Sequence, residues 1–434
     1  MFEPKPVTGL ERPLGFSEAR MHCMHTLFAG TTQCVAAVGV RGPFQEGAFR
    51  AAVDEIAARH QILSCTIVEL NGTLRFAAAA SPRAAVSVVD GVAWQELYQT
   101  LNSTPLPLDR SPWAVFVARG GSQPDAWEVL LTTHHALMDG GSIALFMQQL
   151  FAEYAARLRA DAQCLPRAAR PLPPAAESML PRTLDWPDFV AHQARVAAGQ
   201  PKIEPDPHRA DAAHHERRTQ SLFFSLEPDT AGALARAATE QGVTLNSWVA
   251  ACLLQAVEEH SPGRTRFALG TAFSLRALCE GLGPEDLGCH LAVMSTFHEA
   301  SLGRPIQDVA RQHGRLLTRA VFDSARHPHR VELPALHRTM EPMRGIRAFV
   351  GDIAYTYAES GLESGYPPLH IEHFFASASR ALGAASVVLH GLRHAGAVHF
   401  SVNYTSPLQS SRWVDDVTAA LRRGLAKSVG LAPP

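Results

Sequence analysis

The sequence has no cysteine framework. Its seven cysteines (Cys23, Cys34, Cys65, Cys164, Cys252, Cys279 and Cys289) are odd in number, scattered and without a CxxC pair. That sets aside a disulfide scaffold and a zinc ribbon, and fits reduced thiols in a cytoplasmic protein. An excess of charge is also missing: 39 Lys and Arg against 41 Asp and Glu leave a net charge of −2. There is therefore no electrostatic case for nucleic acid or for an anionic membrane surface. The start Met1-Phe2-Glu3-Pro4-Lys5-Pro6 lacks the pattern of a signal peptide. No apolar run reaches bilayer length; Trp248 to Val257 comes nearest and is too short. The absence of GxSxG argues against a serine hydrolase. His214-His215 and His327-x-His329 lack a matching acid set, so no metal is expected.

What is present describes a soluble globular chain of 434 residues, with 46% hydrophobic and 18% charged residues. That length suits two lobes of ordinary size better than one core. Helical and alternating patterns interleave along it, an α/β pattern. Strands are expected at Cys34–Val40, Ile62–Leu70, Thr73–Ala78 and Val86–Val89, and a hairpin at Trp113–Arg119 and Trp127–Thr133. Helices are expected from Phe44 to His60, Ala93 to Leu101 and Gly141 to Arg159, and an early one capped by Ser17. From Cys164 to Pro181 the chain is rich in Pro, Ala and Arg, with no period. We therefore divide it into a first lobe at 1–165, a linker and crossover at 166–218, and a second lobe at 219–434. Further helices are expected from Trp186 to Ala198 and from Pro228 to Glu240. In the second lobe, strands are expected at Gln220–Leu226, Arg266–Phe273, Gly288–Phe297, Ala348–Tyr357, Leu369–Phe375, Ala384–Gly391 and Val398–Tyr404.

One stretch stands out for chemistry: Thr132-Thr133-His134-His135-Ala136-Leu137-Met138-Asp139-Gly140-Gly141-Ser142. An apolar run leads into it and a helical pattern leads out, with Ser142 expected as the helix cap. Two histidines then sit where a buried strand ends, before an Asp-Gly-Gly turn. Histidine exchanges protons near neutral pH without help, so acid–base chemistry belongs in such a place. The bland alternative is a satisfied core histidine, the better reading for a histidine standing alone.

His134-His135-x-x-x-Asp139-Gly140 resembles the HHxxxDG motif of the condensation-domain and CoA-dependent acyltransferase superfamily. That group includes chloramphenicol acetyltransferase, the condensation domains of nonribosomal peptide synthetases, polyketide-associated acyltransferases and plant BAHD acyltransferases. Weaker resemblances follow in family order: Ser17 to Met21, Arg59-His60-Gln61-Ile62-Leu63, Leu269 to Arg276, and Phe400-Ser401-Val402-Asn403-Tyr404. Two departures stand out: Ser64 replaces the Arg of R-H-E-x-L-R, and the late F-V-N-T is poorly matched at Leu287-Gly288-Cys289-His290.

The resemblance implies two chloramphenicol-acetyltransferase-like lobes forming a pseudo-dimer, with a tunnel between them and a monomer sufficient. It implies that His135 is the general base of acyl transfer. His134 becomes structural, and Asp139 turns away to pair with an Arg of the other lobe, matched here by Arg276. Gly140 and Gly141 would permit the turn and a close approach of a pantetheine arm. Asn403 and Ser386 are candidates to donate to the oxyanion, with strand packing as the alternative for each. The Arg-rich segment from Arg304 to Arg347 is either a seat for CoA phosphates or a carrier protein's acidic face, or a solvated helical surface.

No tightly bound cofactor is expected; the thioester, acyl-CoA or a phosphopantetheinyl acyl chain, is the substrate. An acyl or peptidyl carrier protein is the expected partner, with a small alcohol or amine as acceptor. No attached adenylation or carrier segment is seen, and plant-type DFGWG is absent. The first points to a stand-alone enzyme, and the loss of F-V-N-T leans it to forming an ester, with a free-standing amide-forming condensation domain as the alternative. HxxxxD, the motif of glycerolipid acyltransferases, is also satisfied by His134 and Asp139, but those enzymes are usually membrane-bound. An inactive carrier-binding adaptor is the alternative of another class.

Overall fold

The computed structural model describes residues 10–431 apart from 80–84, 111, 121–124, 160–168, 182, 205, 207, 325–326, 329, 348–351 and 384. Two six-stranded mixed sheets, each backed by helices, form two α/β lobes. The first sheet runs Gly365–Tyr366, Leu369–Ala378, Cys34–Arg41, Ala126–Thr133, Trp113–Arg119, Ala85–Asp90, and only its last pair is parallel. The second runs Leu291–Glu299, Arg266–Ser274, Ile353–Glu359, Val387–His394, Ala397–Ser406, Arg218–Leu226, with two parallel pairs at its centre.

The strand that ends at the histidines is buried on both faces. Trp127, Val129 and Leu131 enter the main core with helices Glu46–Arg59 and Gly140–Leu158, while Leu130 points to Val35, Ala37, Tyr98 and Leu101 on the other face. Each such side chain contributes roughly 1.5–3 kcal/mol by leaving water. This explains an apolar run where a half-solvated strand would alternate. In the second lobe, helices Pro228–Glu240, Leu245–Glu259 and Ser411–Lys427 cover one sheet face. Leu245–Glu259 is apolar nearly all round because other elements surround it.

One strand crosses between the lobes. Leu369–Ala378, expected within the second lobe, hydrogen-bonds instead to Cys34–Arg41 of the first, with Ala37 opposite Phe375. The segment 219–434 therefore supplies two strands to the first lobe's sheet, because Gly365–Tyr366 pairs beside it. The chain returns to the second sheet at Val387–His394.

Several ends differ from expectation. The strand expected from Ile62 begins as a 3-10 turn at Gln61–Ser64 and extends only from Cys65. Ser17 lies inside helix Phe16–Leu27, whose cap is Gly15; its backbone N–H and hydroxyl both donate to buried Glu177. Glu177 belongs to the short helix Ala176–Met179, within the stretch expected to be irregular linker. The expected linker residues 166–168 and Cys164 lie outside the described residues, as does Arg326 of the Arg-rich segment.

Candidate active site

His134 and His135 leave strand Ala126–Thr133 in different directions. His134 is fully buried. Its Nδ1 accepts the Ala136 N–H at 3.0 Å, which puts the ring proton on Nε2. The ring packs against His25 at 4.7 Å and His22 at 5.7 Å. Burial, followed by these neighbours and His135, holds its pKa well below the ordinary histidine value. A neutral imidazole wedged under the turn serves packing.

His135 is half-buried. Its Nδ1 is buried without a hydrogen-bond partner. Burial lowers its pKa, Asp139 and the backbone groups of His135 and Met138 raise it, and Arg380 lowers it again. The net shift is downward, so the imidazole is neutral at pH 7 with a free lone pair. A proton acceptor needs that state.

Asp139 caps the helix that follows. Its Oδ1 accepts the Ser142 N–H at 2.7 Å, so Asp139, not Ser142, is the N-cap of Gly140–Leu158. Three residues separate a cap from the N–H it captures, and only Asp139 stands at that spacing. Its Oδ2 accepts the His290 N–H at 3.0 Å, and its own N–H donates to the Gly288 carbonyl at 3.0 Å. Arg276 approaches Oδ1 at 3.6 Å. Burial works against the charge, but Arg276, His290 and the two backbone N–H donors outweigh it and hold the carboxyl below its ordinary value.

The Ser142 hydroxyl completes this knot. It donates to the Gly288 carbonyl at 2.8 Å and accepts from the Gly288 N–H at 2.9 Å and from Arg276 at 2.7 Å. Gly288 is required there, since a Cβ would lie 2.3 Å from the His290 ring. A Cβ at Gly141 would meet the Arg276 Nε at 3.3 Å, whereas one at Gly140 would meet nothing within 4 Å. Neither of these two has a positive φ. The backbone conformation of the turn therefore does not demand glycine at either.

The oxyanion candidates are committed elsewhere. Ser386 donates to the Asp352 carbonyl at 2.7 Å. Asn403 donates to the hydroxyls of Ser221 at 2.8 Å and Ser377 at 3.0 Å, fully buried. The Tyr98 hydroxyl reaches Ser377 at 2.7 Å, and the Asn102 amide reaches Ser221 at 3.2 Å. These residues form a polar clamp between the lobes, with no amide hydrogen left for an oxyanion.

The sequence reading missed two residues beside His135. Arg380 follows the crossing strand, and its Nη2 donates to the Nε2 of His390 at 3.0 Å. The charge of Arg380 acts on both His135 and His390, and that of His135 acts on His390. Neither residue belongs to a motif; the strand crossing brings Arg380 here, and the second sheet brings His390. Two clefts, about 620 Å³ beside Thr244, Arg311 and Arg315 and about 370 Å³ beside His214, Arg218 and Ala381, are not lined by His135. Arg311 pairs with Asp308 at 2.8 Å on helix Ile306–Ser324.

Structural comparison places this arrangement among known folds. The trichothecene 15-O-acetyltransferase of Fusarium sporotrichioides superposes with a TM-score of 0.72 at 11% identity, covering 98% of this chain and 99% of that one. The polyketide synthase associated protein 5 of Mycobacterium tuberculosis gives 0.68 at 15%, covering 97% and 100%. The first condensation domain of the calcium-dependent antibiotic synthetase gives 0.69 at 12%, covering 98% of each. The chain shares its fold with these acyltransferases and condensation domains.

Sequence relatives carry the same signal. A linear gramicidin synthase of Brevibacillus parabrevis is 23% identical over 253 residues, 54% of this chain and 5% of that protein. A nonribosomal peptide synthetase of Metarhizium robertsii is 31% identical over 154 residues, 34% of this chain and 2% of that protein. The chain thus spans a small fraction of these multidomain relatives. No family model matches it. Among the described residues, no helix is long and apolar enough to cross a membrane.

Proposed function

We propose that this chain is an acyltransferase that moves an acyl group from a thioester to an alcohol, with His135 as general base. The observation that carries this is His135 itself: a neutral, half-buried imidazole whose Nδ1 is buried without a hydrogen-bond partner, on a turn fixed by Asp139 and Arg276. The acceptor hydroxyl loses its proton to Nε2 as its oxygen attacks the thioester carbonyl. Collapse of the tetrahedral adduct breaks the C–S bond, and the imidazolium returns the proton to the departing thiolate. No covalent enzyme intermediate is needed. Asp139 does not exchange protons in this scheme; it is spent on the helix cap, the His290 N–H and Arg276.

The thioester is carried by a carrier protein's phosphopantetheine or by CoA. Both acyl transfer to oxygen and synthetase condensation occur among the folds it resembles. The ester reading rests further on the poor match to F-V-N-T; amide formation with an amine is the second product class. The test is product mass after incubation with acyl-CoA and acyl-carrier donors and a panel of alcohols and amines. An ester formed by the wild type and lost in His135→Ala is expected. Equal product from the variant overturns the base, and no transfer from any thioester overturns the reaction.

A further inference from the structure

Among the described residues, Arg380 has no counter-ion. Its side chain is half-buried, and among the described residues no carboxylate comes within salt-bridge distance. Its one side-chain hydrogen bond goes to a neutral ring, His390, and its Nε is buried with no partner. Burial, opposed only by Cys34, depresses its pKa to about 10. Desolvating a guanidinium without an anion is unfavourable, so most half-buried arginines stand beside a carboxylate. Arg264 shows the ordinary solution in this chain, with Asp352 at 2.7 Å.

The placement of Arg380 is built rather than incidental. Its backbone N–H donates to the Thr219 hydroxyl at 2.8 Å, and its carbonyl accepts from the Thr405 hydroxyl at 2.6 Å, both in the second lobe. The preceding Ser379 exchanges backbone bonds with Thr32 and Gln33 of the first lobe. Clamped from both sides, the residue is held where the lobes meet, on the same side of the fold as His135. His390 fixes the guanidinium: to accept at Nε2 it must carry its proton on Nδ1.

We infer that Arg380 receives a carboxylate borne by one of the two reacting molecules, close to the atom on which His135 acts. This rests on the proposed acyl transfer for its geometry, since the reacting atoms lie at His135. The phosphate of a pantetheine arm does not meet the requirement. It lies many bonds from the thioester, whereas the charge of Arg380 acts on His135 itself. A carboxylate accepts from the guanidinium fork through charge-assisted hydrogen bonds, which a neutral acyl chain or a plain alcohol cannot do. The carboxylate belongs either to the acceptor, as in a hydroxy or amino acid, or to the acyl chain, as in a dicarboxylic monothioester.

The experiment separates these sources by binding, without relying on turnover. Calorimetric titration of the wild type compares a graded panel of hydroxy and amino acids with their neutral amides in one arm. A second arm compares succinyl-CoA with butyryl-CoA. A preference of about ten-fold or more for the charged member in either arm is expected, its loss in Arg380→Gln, and its partial retention in Arg380→Lys. Equal binding of charged and neutral members in both arms overturns the inference, and so does a preference that survives in a folded Arg380→Gln. The wild-type comparison decides even if the variants fail to fold. A charge preference seen without any acyl transfer would leave Arg380 as the anion site and remove the proposed reaction instead.

Discussion

Asp139 faces Arg276 from the opposite lobe at 3.6 Å, while the same carboxylate caps the helix Gly140–Leu158. One acidic side chain thus ties three things together: the turn after His135, the helix start and the second lobe's loop at Gly288 and His290. The arrangement explains how an acid four residues from a histidine can serve the site without exchanging a proton. Every lone pair of interest is directed to a fixed donor, so the turn carries His135 in one orientation.

Removing Arg276 leaves Asp139 as a buried charge. Arg276→Ala is expected to destabilise the fold by about 3 kcal/mol, toward the low end for a broken buried pair because Arg276 is itself partly exposed. The Asp139 pKa, no longer lowered by the guanidinium, rises. The wild-type carboxylate contributes stability above its unfolded pKa and loses it as pH falls through the lower folded value. The variant therefore loses that contribution at a higher pH. Urea denaturation of wild type and variant at pH 7 checks the loss of stability.

His135→Ala is expected to reduce turnover by roughly 10²–10⁴-fold with little change in melting temperature, because the ring is only half-buried. In the wild type, the lowered pKa predicts an acid limb of kcat/KM that lies below pH 6.5. A limb above pH 7 would contradict a desolvated base.

The buried clamp between the lobes should matter to stability rather than chemistry. Asn403→Ala leaves the hydroxyls of Ser221 and Ser377 short of donors in a dry interface. A loss of about 1–3 kcal/mol is expected. Thermal unfolding of the single and double variants with Ser377→Ala measures it, and coupling between the two positions is expected because they share a bond.

Acid should unfold this protein early. Burial pushes His298 and His399 to about 3 and His22, His313 and His327 to about 4. These groups stay neutral in the fold and take up protons near pH 6.5 when unfolded, so stability falls as pH drops below about 6.5. At one pH unit below that value each costs about 1 kcal/mol. The melting temperature should fall steeply from pH 6.5 to pH 5; a flat profile across that range would contradict it.

Much of the local structure was legible from pattern alone. Helices Trp186–Ala198 and Pro228–Glu240 and strands Thr73–Ala78 and Trp113–Arg119 coincide with the expected segments. Period and turn chemistry act within a few residues, so a linear reading captures them. The HHxxxDG stretch was legible for the same reason, and the family order of the motifs brought Arg276 to Asp139 in advance.

The tertiary structure decided what each segment touches. Leu369–Ala378 reads as a strand in any sheet; its partner Cys34–Arg41 lies far away in the chain, and no periodicity names it. That one pairing carries Arg380 toward the histidine site, and it brings Ser377 to Asn403 in the clamp. The bond of Ser386 to the Asp352 carbonyl follows likewise from atoms meeting across the fold. Local burial is written in the order of residues, whereas partnership depends on which distant surfaces fit together, and only the folded chain holds both.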